Sequence, residues 1–82
     1  MTFDKELRRQ KELTIGELRV RTAFNPSANS TVDEIKQKTA ELINLCDKVM
    51  GDGSSGEVRR LVALAQTHYE DAAMWAVKAA TA

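Results

Sequence analysis

Residues 31–50, TVDEIKQKTAELINLCDKVM, have the clearest structural pattern in the sequence. Apolar and small side chains recur there at spacings of three and four residues, which is the periodicity of one face of an α-helix. This seam comprises Val32, Ile35, Thr39, Leu42, Cys46 and Val49, and Ile43, Leu45 and Met50 widen it. Thr31 with Glu34, or Ser30 with Asp33, matches the capping box that begins many helices. These features predict a helix over residues 31–50.

A second helix is predicted after a short glycine-rich connector. Residues 51–56, GDGSSG, contain three of the four glycines and precede a helical pattern over residues 57–80. The seam of this helix comprises Val58, Leu61, Ala65, His68, Ala72, Trp75 and Ala79. Beside it runs a second row of Val62, Tyr69, Ala73, Ala76 and Ala80, and we assign Arg59, Arg60, Gln66, Thr67, Glu70, Asp71 and Lys78 to the polar side. Because so short a connector makes consecutive helices antiparallel neighbours, we predict an all-α fold, an antiparallel helical hairpin.

The residues before the hairpin have weaker signals. Residues 3–13 are good helix formers, and Gly16 interrupts their pattern. Residues 17–24, ELRVRTAF, alternate in polarity, which favours a short extended segment with its arginines on one side. The turn-forming stretch NPSANS follows. We therefore predict an N-terminal helix and break over residues 1–16 and a single hairpin domain over residues 17–82.

Length and composition limit the function. The 82 residues have room for one small domain, and twelve Lys and Arg balance twelve Asp and Glu, so the formal net charge is zero. A neutral chain argues against a DNA-binding or membrane-surface protein, because both normally have a basic excess. The sequence has no apolar run that spans a bilayer, begins with MTFDKELRRQKE rather than a signal peptide, and contains one cysteine. We expect a cytoplasmic protein without a membrane partner.

The predicted hairpin has more apolar surface than its two helices cover. Each helix buries one stripe against the other, whereas the two rows of the second helix span about half of its circumference. A core of this size rarely supplies more than ~3–5 kcal/mol, and association is a common remedy. Alanines such as Ala65, Ala72 and Ala79 allow close approach of another helix. We therefore expect a symmetric homo-oligomer.

No residue pattern indicates an enzyme, a metal site or a cofactor. The single histidine, His68, and the single cysteine, Cys46, lie in the seams of different helices, whereas a metal needs three or four converging ligands. A Cys–His nucleophilic pair remains an alternative to a packed thiol and a hydrogen-bonded core or interface histidine. The glycines of residues 51–56 lack the following lysine and hydroxyl residue of a phosphate-binding loop.

One region has the composition of an anion-binding site. It contains Arg19, Arg21, Phe24, Asn25 and Asn29, followed by Lys36 in the predicted helix. The free N–H groups and positive dipole end of that helix lie beside them, and together these groups are what phosphate and base recognition requires. A capped helix with two solvated arginines explains the same residues without a ligand. Tyr69 and Trp75 fit a core or subunit interface, or a base-stacking platform.

Two stretches resemble a known protein family. Residues 19–45, RVRTAFNPSANSTVDEIKQKTAELINL, and residues 64–82, LAQTHYEDAAMWAVKAATA, are similar to a helical-hairpin domain of small phage proteins. These proteins counter bacterial nucleotide-signalling immunity and are known as anti-CBASS and Thoeris anti-defence sponges. The similarity covers residues 14–82, whereas residues 1–13 have no counterpart in it.

The resemblance implies a non-enzymatic function in the host bacterial cytoplasm during phage infection. Such sponges bind cyclic di- or trinucleotides or cyclic ADP-ribose isomers unchanged, which keeps the host effector inactive. The resemblance also implies a homo-oligomer, commonly a hexamer, with ligand pockets at subunit junctions. In those pockets an aromatic ring stacks on the base, and basic, hydroxyl or amide side chains hold the phosphates. On that pattern the expected ligand-binding residues are Arg19, Arg21, Phe24, Asn25, Thr31 and Lys36, with Arg60 and Tyr69 from another helix or subunit.

Three other functions stay open at this point. An oligomeric adaptor or inhibitor of a host protein is favoured by Met74 and Val77, which interrupt the polar side of the second helix. A hydrolase that destroys the messenger needs a metal or nucleophile cluster, and the sequence offers no convincing one. DNA is the least favoured partner, because the net charge is zero.

Overall fold

The described part of the chain in this computed structural model is residues 13–82, which form three helices and no strand. The helices are α1 (Ile15–Val20), α2 (Ser30–Val49) and α3 (Gly56–Ala80). The predicted all-α class is therefore confirmed for these residues. Both long helices begin one residue earlier than the predicted ranges of 31–50 and 57–80. The prediction for residues 1–12 lies outside the described residues.

The segment before the hairpin is helical, so the extended conformation predicted over residues 17–24 is wrong. Thr14 and Glu17 form a capping box at the start of α1: the Glu17 amide donates to Thr14 Oγ1 (3.2 Å) and the Thr14 amide donates to Glu17 Oε1 (3.0 Å). A short alternation of polarity also fits one or two helical turns, and the capping box favours the helix. α1 ends at Arg21, which adopts a left-handed conformation with φ of 55°.

Gly16 lies inside α1 and is buried against α2, so its predicted role as a helix break is wrong. A Cβ atom at Gly16 would lie 2.7 Å from the carbonyl carbon and 2.8 Å from the Cα of Ala40, and closer still to the oxygen. Only a residue without a side chain allows two backbones to approach so closely. Asn44 strengthens the contact, because its Oδ1 accepts from the Gly16 amide (2.8 Å) and its Nδ2 donates to Thr14 Oγ1 (3.0 Å).

The N-cap of α2 is Asn29 rather than the predicted Thr31 or Ser30. Oδ1 of Asn29 accepts from the amides of Thr31 (2.9 Å) and Val32 (3.2 Å). Asn25 holds this cap in place, because its Oδ1 accepts from the Asn29 amide (3.2 Å) and its Nδ2 donates to the Asn29 carbonyl oxygen (2.7 Å). Asparagine is as good an N-cap as serine, so the capping-box spacing alone did not identify the first residue of the helix.

Most of the predicted seams lies outside the buried contact of α2 and α3, although Val32 of the first seam and Val62, Tyr69 and Ala73 of the predicted second row are buried or packed against the core. The buried residues are Val32, Lys36, Ala40 and Ile43 in α2 and Val62, Gln66 and Ala73 in α3, with Tyr69 packed beside them. Six of the thirteen seam residues precede a buried residue by one position, which is about 100° around the helix. Leu61 is accordingly 50% exposed and Trp75 is 63% exposed. The physical reason for the error is that the buried stripe includes Lys36 and Gln66, which a search for apolar periodicity excludes.

Side-chain hydrogen bonds define how α2 and α3 lie side by side. Nε2 of Gln66 donates to the carbonyl oxygen of Ile43 (3.0 Å) and to Oδ1 of Asp47 (2.8 Å), so its assignment to the polar side is wrong. Nδ2 of Asn29 donates to the carbonyl oxygen of Ala80 (3.4 Å). The start of α2 therefore lies beside the end of α3. The turn that follows α1 packs at the same end of the two helices.

Replacing Gly16 with alanine should destabilise the domain by about 3 kcal/mol, because the new Cβ meets backbone atoms of Ala40 that cannot rotate away. Gly56→Ala is the matched control, since Gly56 is also helical and nothing lies within 4 Å of its Cβ position. That change should leave stability equal or slightly higher. Denaturant unfolding measures both effects, and equal midpoints for the two variants would contradict the close contact.

Lowering the pH should destabilise α1, because Glu17 becomes protonated and its hydrogen bonds at the start of the helix are weakened. Hydrogen bonds from the backbone amide and then the hydroxyl of Thr14 hold the pKa of Glu17 below its usual value of 4.5. Because the folded-state pKa is the lower one, the stabilisation is present above the unfolded-state value and is lost as the pH falls through the folded-state pKa. Glu17→Gln should therefore flatten the acid limb of stability against pH, measured by unfolding titrations. The exposed Glu41→Gln change is the control, and identical acid limbs for both variants would exclude this role for Glu17.

Candidate ligand-binding cleft

A cleft of about 790 Å³ lies where α1 and the turn after it face the last turns of α3. Its volume is within the range of about 300–1,000 Å³ that is typical of small-molecule sites. The lining residues are Arg19, Val20, Arg21, Phe24, Lys36, Glu70, Ala73, Met74, Val77, Lys78 and Thr81. Residues from all three helices therefore line the cleft, and the cleft exists only when the three helices are packed together.

The cleft concentrates positive charge in a chain whose formal net charge is zero. Four cationic side chains and one carboxylate line it, namely Arg19, Arg21, Lys36, Lys78 and Glu70. Nη2 of Arg19 donates to Oε2 of Glu70 (3.3 Å) and to Oγ1 of Thr67 (3.4 Å), so the one carboxylate is paired within the cleft wall. The local excess of cations favours an anionic ligand.

The turn after α1 has a defined and unusual backbone. Arg21 adopts φ of 55° and ψ of 61°, a left-handed conformation that is unfavourable for a residue with a side chain. Its amide donates to the Glu17 carbonyl oxygen, and its own carbonyl oxygen accepts from the Phe24 amide (2.9 Å). Arg19 and Arg21 thus belong to a helix and its C-cap, not to one side of an extended strand, although both line the cleft.

Lys36 supports this turn from α2. The residue is only 6% exposed, and its Nζ donates to the carbonyl oxygens of Arg21 (3.0 Å) and Phe24. The same nitrogen lies 5.3 Å from the centroid of the Phe24 ring, within the range of a cation–π interaction. Burial lowers the pKa of the Lys36 ammonium, while nearby Asp33 raises it and Arg21 lowers it. The buried charge is thus compensated by carbonyl dipoles and an aromatic face.

Phe24 is an exposed ring between two clefts. The residue is 60% exposed and, together with Arg21, also lines a second cleft of about 570 Å³. The other residues of the second cleft are Leu13, Glu17, Leu18, Thr22 and Ala23. An aromatic ring that is open to solvent and adjacent to cations has the geometry that stacking on a nucleobase requires.

The first cleft contains half of the residues that were expected to bind ligand. Arg19, Arg21, Phe24 and Lys36 line it, whereas Asn25, Thr31, Arg60 and Tyr69 do not. Asn25 organises the turn before α2, and Thr31 lies exposed on the first turn of that helix. Arg60 is paired with Glu57 (2.7 Å) at the start of α3. Tyr69 packs against the core cluster of Val20, Ala40, Ile43 and Ala73.

The residues that α3 contributes to the cleft were not among the predicted ligand-binding residues. The predicted polar side of α3 includes Glu70 and Lys78 and is interrupted by Met74 and Val77. With Thr81, these residues recur at spacings of three and four and so share one face of the helix. That mixed face, apolar in its middle and charged at its ends, is the signal from which this wall of the cleft is predictable.

Residues 13–82 contain neither a candidate metal-binding cluster nor a candidate membrane-spanning helix. No group of three His, Cys, Asp and Glu side chains in this range is arranged to hold a metal ion, and His68 is exposed whereas Cys46 is half-buried. Nor does this part of the chain contain a helix with the length and hydrophobicity that crossing a bilayer requires.

Comparison with known proteins identifies one family. The family model described as Acb2/Tad1, hairpin domain, matches residues 14–81. The match begins at the Thr14 cap of α1 and includes all three helices. No curated protein and no solved structure is significantly similar to the chain.

Proposed function

The chain belongs to the Acb2/Tad1 hairpin-domain family of anti-CBASS and anti-Thoeris sponges, and we propose that it sequesters cyclic nucleotide immune messengers in the host cytoplasm. The ligands proposed are cyclic di- or trinucleotides and cyclic ADP-ribose isomers, held without chemical change so that the host effector is not activated. The family is a binding-domain family rather than a known enzyme family, and it implies an anti-defence sponge role in broad terms. The cleft of about 790 Å³, with its exposed ring and excess of cations, is the observation that supports the proposal for this chain.

The cleft offers a partner for each chemical part of a cyclic nucleotide. Arg21 and Lys78 provide charge-assisted hydrogen-bond donors for phosphate oxygens. Phe24 provides a stacking surface, and such stacking typically contributes ~1–3 kcal/mol per base. Met74 and Val77 provide an apolar wall for the rest of the ligand. Several of these contacts have to act together, because stoichiometric capture requires a nanomolar dissociation constant, or about 12 kcal/mol.

A homo-oligomer is part of the proposal, because most of the predicted α3 seam and two residues of the predicted α2 seam are exposed. The most exposed members include Leu42, Val49, Leu61 and Trp75. Each seam is turned by about 100° from the buried stripe of its own helix. The start of α2 lies beside the end of α3, so the two helices run in opposite directions. An offset of one residue, about 100°, towards the N-terminus of each helix therefore places both seams on the same side of the hairpin, where a second copy covers them together. We therefore propose a symmetric assembly, which on the family pattern is a hexamer.

The cleft borders this exposed side of the hairpin. Lys78 lines the cleft, and its Nζ lies 5.3 Å from the ring centroid of Trp75, which belongs to the exposed seam. A copy that covers Trp75 therefore reaches the edge of the cleft. This proximity supports a ligand site that is completed at a subunit junction. Arg60, exposed at the start of α3, remains the proposed contribution of another copy.

The alternative function, an adaptor that binds a host protein, depends on Met74 and Val77. Both side chains line the same cleft as Arg21 and Lys78, where they form the apolar wall. Apolar surface enclosed among cations suits a small amphipathic anion better than a flat protein surface. These two residues therefore favour the ligand-binding proposal.

A ligand panel tests the proposed function directly. The panel contains cyclic di-AMP, cyclic di-GMP, cyclic tri-AMP and cyclic ADP-ribose isomers, with linear dinucleotides and ADP-ribose as controls. Since a ligand that binds only the folded state raises its stability by ~4 kcal/mol at a thousandfold excess over the dissociation constant, at least one cyclic compound should raise the Tm by several degrees. Recovery of that compound intact after heating should exclude turnover. A panel without any shift would contradict the proposal.

Two substitutions test whether the cleft is the site. Arg21→Ala and Phe24→Ala should each weaken binding of the active panel compound at least tenfold, because one loses a phosphate partner and the other a stacking surface. Arg59→Ala is the matched control, since Arg59 is an exposed arginine that does not line either cleft. Isothermal titration measures the affinities. Unchanged affinity in both cleft variants would place the site elsewhere.

Sedimentation velocity tests the assembly. Leu61→Gln should shift the protein towards the monomer at micromolar concentration, because it places an amide in the proposed interface. Ala63→Gln is the control, since Ala63 is exposed and lies about 200° around the helix from Leu61. It should leave the sedimentation coefficient unchanged. A stable monomer for the unaltered protein would remove the oligomer from the proposal.

A further inference from the structure

We infer that Lys36 is a positioning residue, which fixes Arg21 and Phe24 in the orientations that face the cleft and does not itself hold the phosphate of a ligand. The inference rests on the proposed function, because these orientations matter for a ligand that binds in the cleft. It assigns Lys36 a different role from the direct phosphate contact expected from its charge.

The hydrogen bonds of Lys36 support this role. An ammonium group has three N–H donors, and two of them are directed at the carbonyl oxygens of Arg21 and Phe24. The residue belongs to the buried stripe of α2, between Val32 and Ala40, and is almost fully covered. A phosphate would therefore have to compete with two backbone acceptors that are already in place.

The turn that Lys36 holds is one that needs support. Arg21 is left-handed without being glycine, so its conformation persists only where surrounding contacts enforce it. The ring of Phe24 is mostly exposed, so few neighbours restrict its rotation. One nitrogen contacts both carbonyl groups of this turn and lies over the ring. Lys36 thus restricts the backbone and the aromatic ring of the cleft at the same point.

Preorganisation of this kind changes affinity without contact to the ligand. When Lys36 is replaced, the Arg21 and Phe24 side chains become ordered only as the ligand binds. This ordering should lower the affinity roughly tenfold. Because part of the effect acts through Phe24, the loss caused by replacing Lys36 should be smaller once the ring is removed. A direct phosphate contact would instead be lost in addition to the stacking contact.

The test is a double-mutant cycle with Lys36→Met and Phe24→Ala, measured by isothermal titration with each panel compound that binds the unaltered protein. Lys36→Met should weaken binding roughly tenfold, and the loss in the double variant should be clearly smaller than the product of the two single losses. Additive losses would overturn the inference in favour of a phosphate contact.

Two further variants separate positioning from folding and from general electrostatics. Lys36→Gln keeps an N–H donor without the charge, so it should recover part of the affinity, and it replaces Lys36→Met if the latter does not fold. Lys38→Met removes a charge from an exposed position of the same helix and should leave affinity within about twofold. Equal losses in Lys36→Met and Lys38→Met would overturn the inference.

Hydrogen exchange provides a readout that needs no ligand. The Phe24 amide donates to the Arg21 carbonyl oxygen, which also accepts from Lys36. In Lys36→Met this amide should exchange at least tenfold faster relative to amides in the middle of α3, whereas Lys38→Met should leave it unchanged. If no panel compound binds, the proposed function fails while this measurement still decides whether Lys36 holds the turn. Unchanged exchange at Phe24 would overturn the inference.

Discussion

The contact of two backbones, at Gly16 of α1 and Ala40 of α2, is the constraint on which the rest of the structure depends. α1 has only six residues, and a helix of that length is not stable alone in water. It is held by the close approach that Gly16 allows, by the hydrogen bonds of Asn44 and by burial of Val20 in the core. The end of α1 therefore has a fixed position, and so has the turn that follows it.

That fixed turn explains how a neutral chain obtains a cationic cleft. The arginines come from α1 and its C-cap, Lys36 comes from α2, and Lys78 comes from the last turns of α3. No segment of the sequence is strongly basic, and the charge becomes concentrated only when the three helices pack. The positive potential of such a small cluster of charges suits a small anion, whereas a nucleic acid requires a stripe of positive charge along the surface. Net charge therefore describes the whole molecule and not its site.

Local patterns in the sequence were sufficient for the long helices but not for their contacts. Periodicity and a glycine-rich connector predict α2 and α3 to within one residue at their starts. The alternation of Leu18 and Val20 led to the wrong prediction of an extended segment, whereas the Thr14–Glu17 capping box that begins α1 was not recognised in the sequence. Burial of Lys36 and Gln66 was not predictable, because their partners are carbonyl oxygens of distant residues. The α1 side of the cleft was predictable from neighbouring residues, whereas its α3 wall is signalled only by the mixed apolar and charged face that includes Glu70, Met74 and Lys78.

The exposure of most predicted seam residues has a physical explanation. Besides Val32, Ile43 and Val62, the buried stripes contain Lys36, Gln66, Ala40 and Ala73, so the packing within one chain is partly polar and uses small side chains. The largest apolar side chains, including Leu61 and Trp75, lie one position earlier and remain exposed. Apolar periodicity identifies the strongest hydrophobic face of a helix, but it does not identify which chain covers that face. In the proposed assembly the stronger face is covered by another copy, while the weaker, hydrogen-bonded stripe aligns the helices within one chain. The weaker stripe includes Lys36, so the packing that orders the hairpin is also the packing that shapes its cleft.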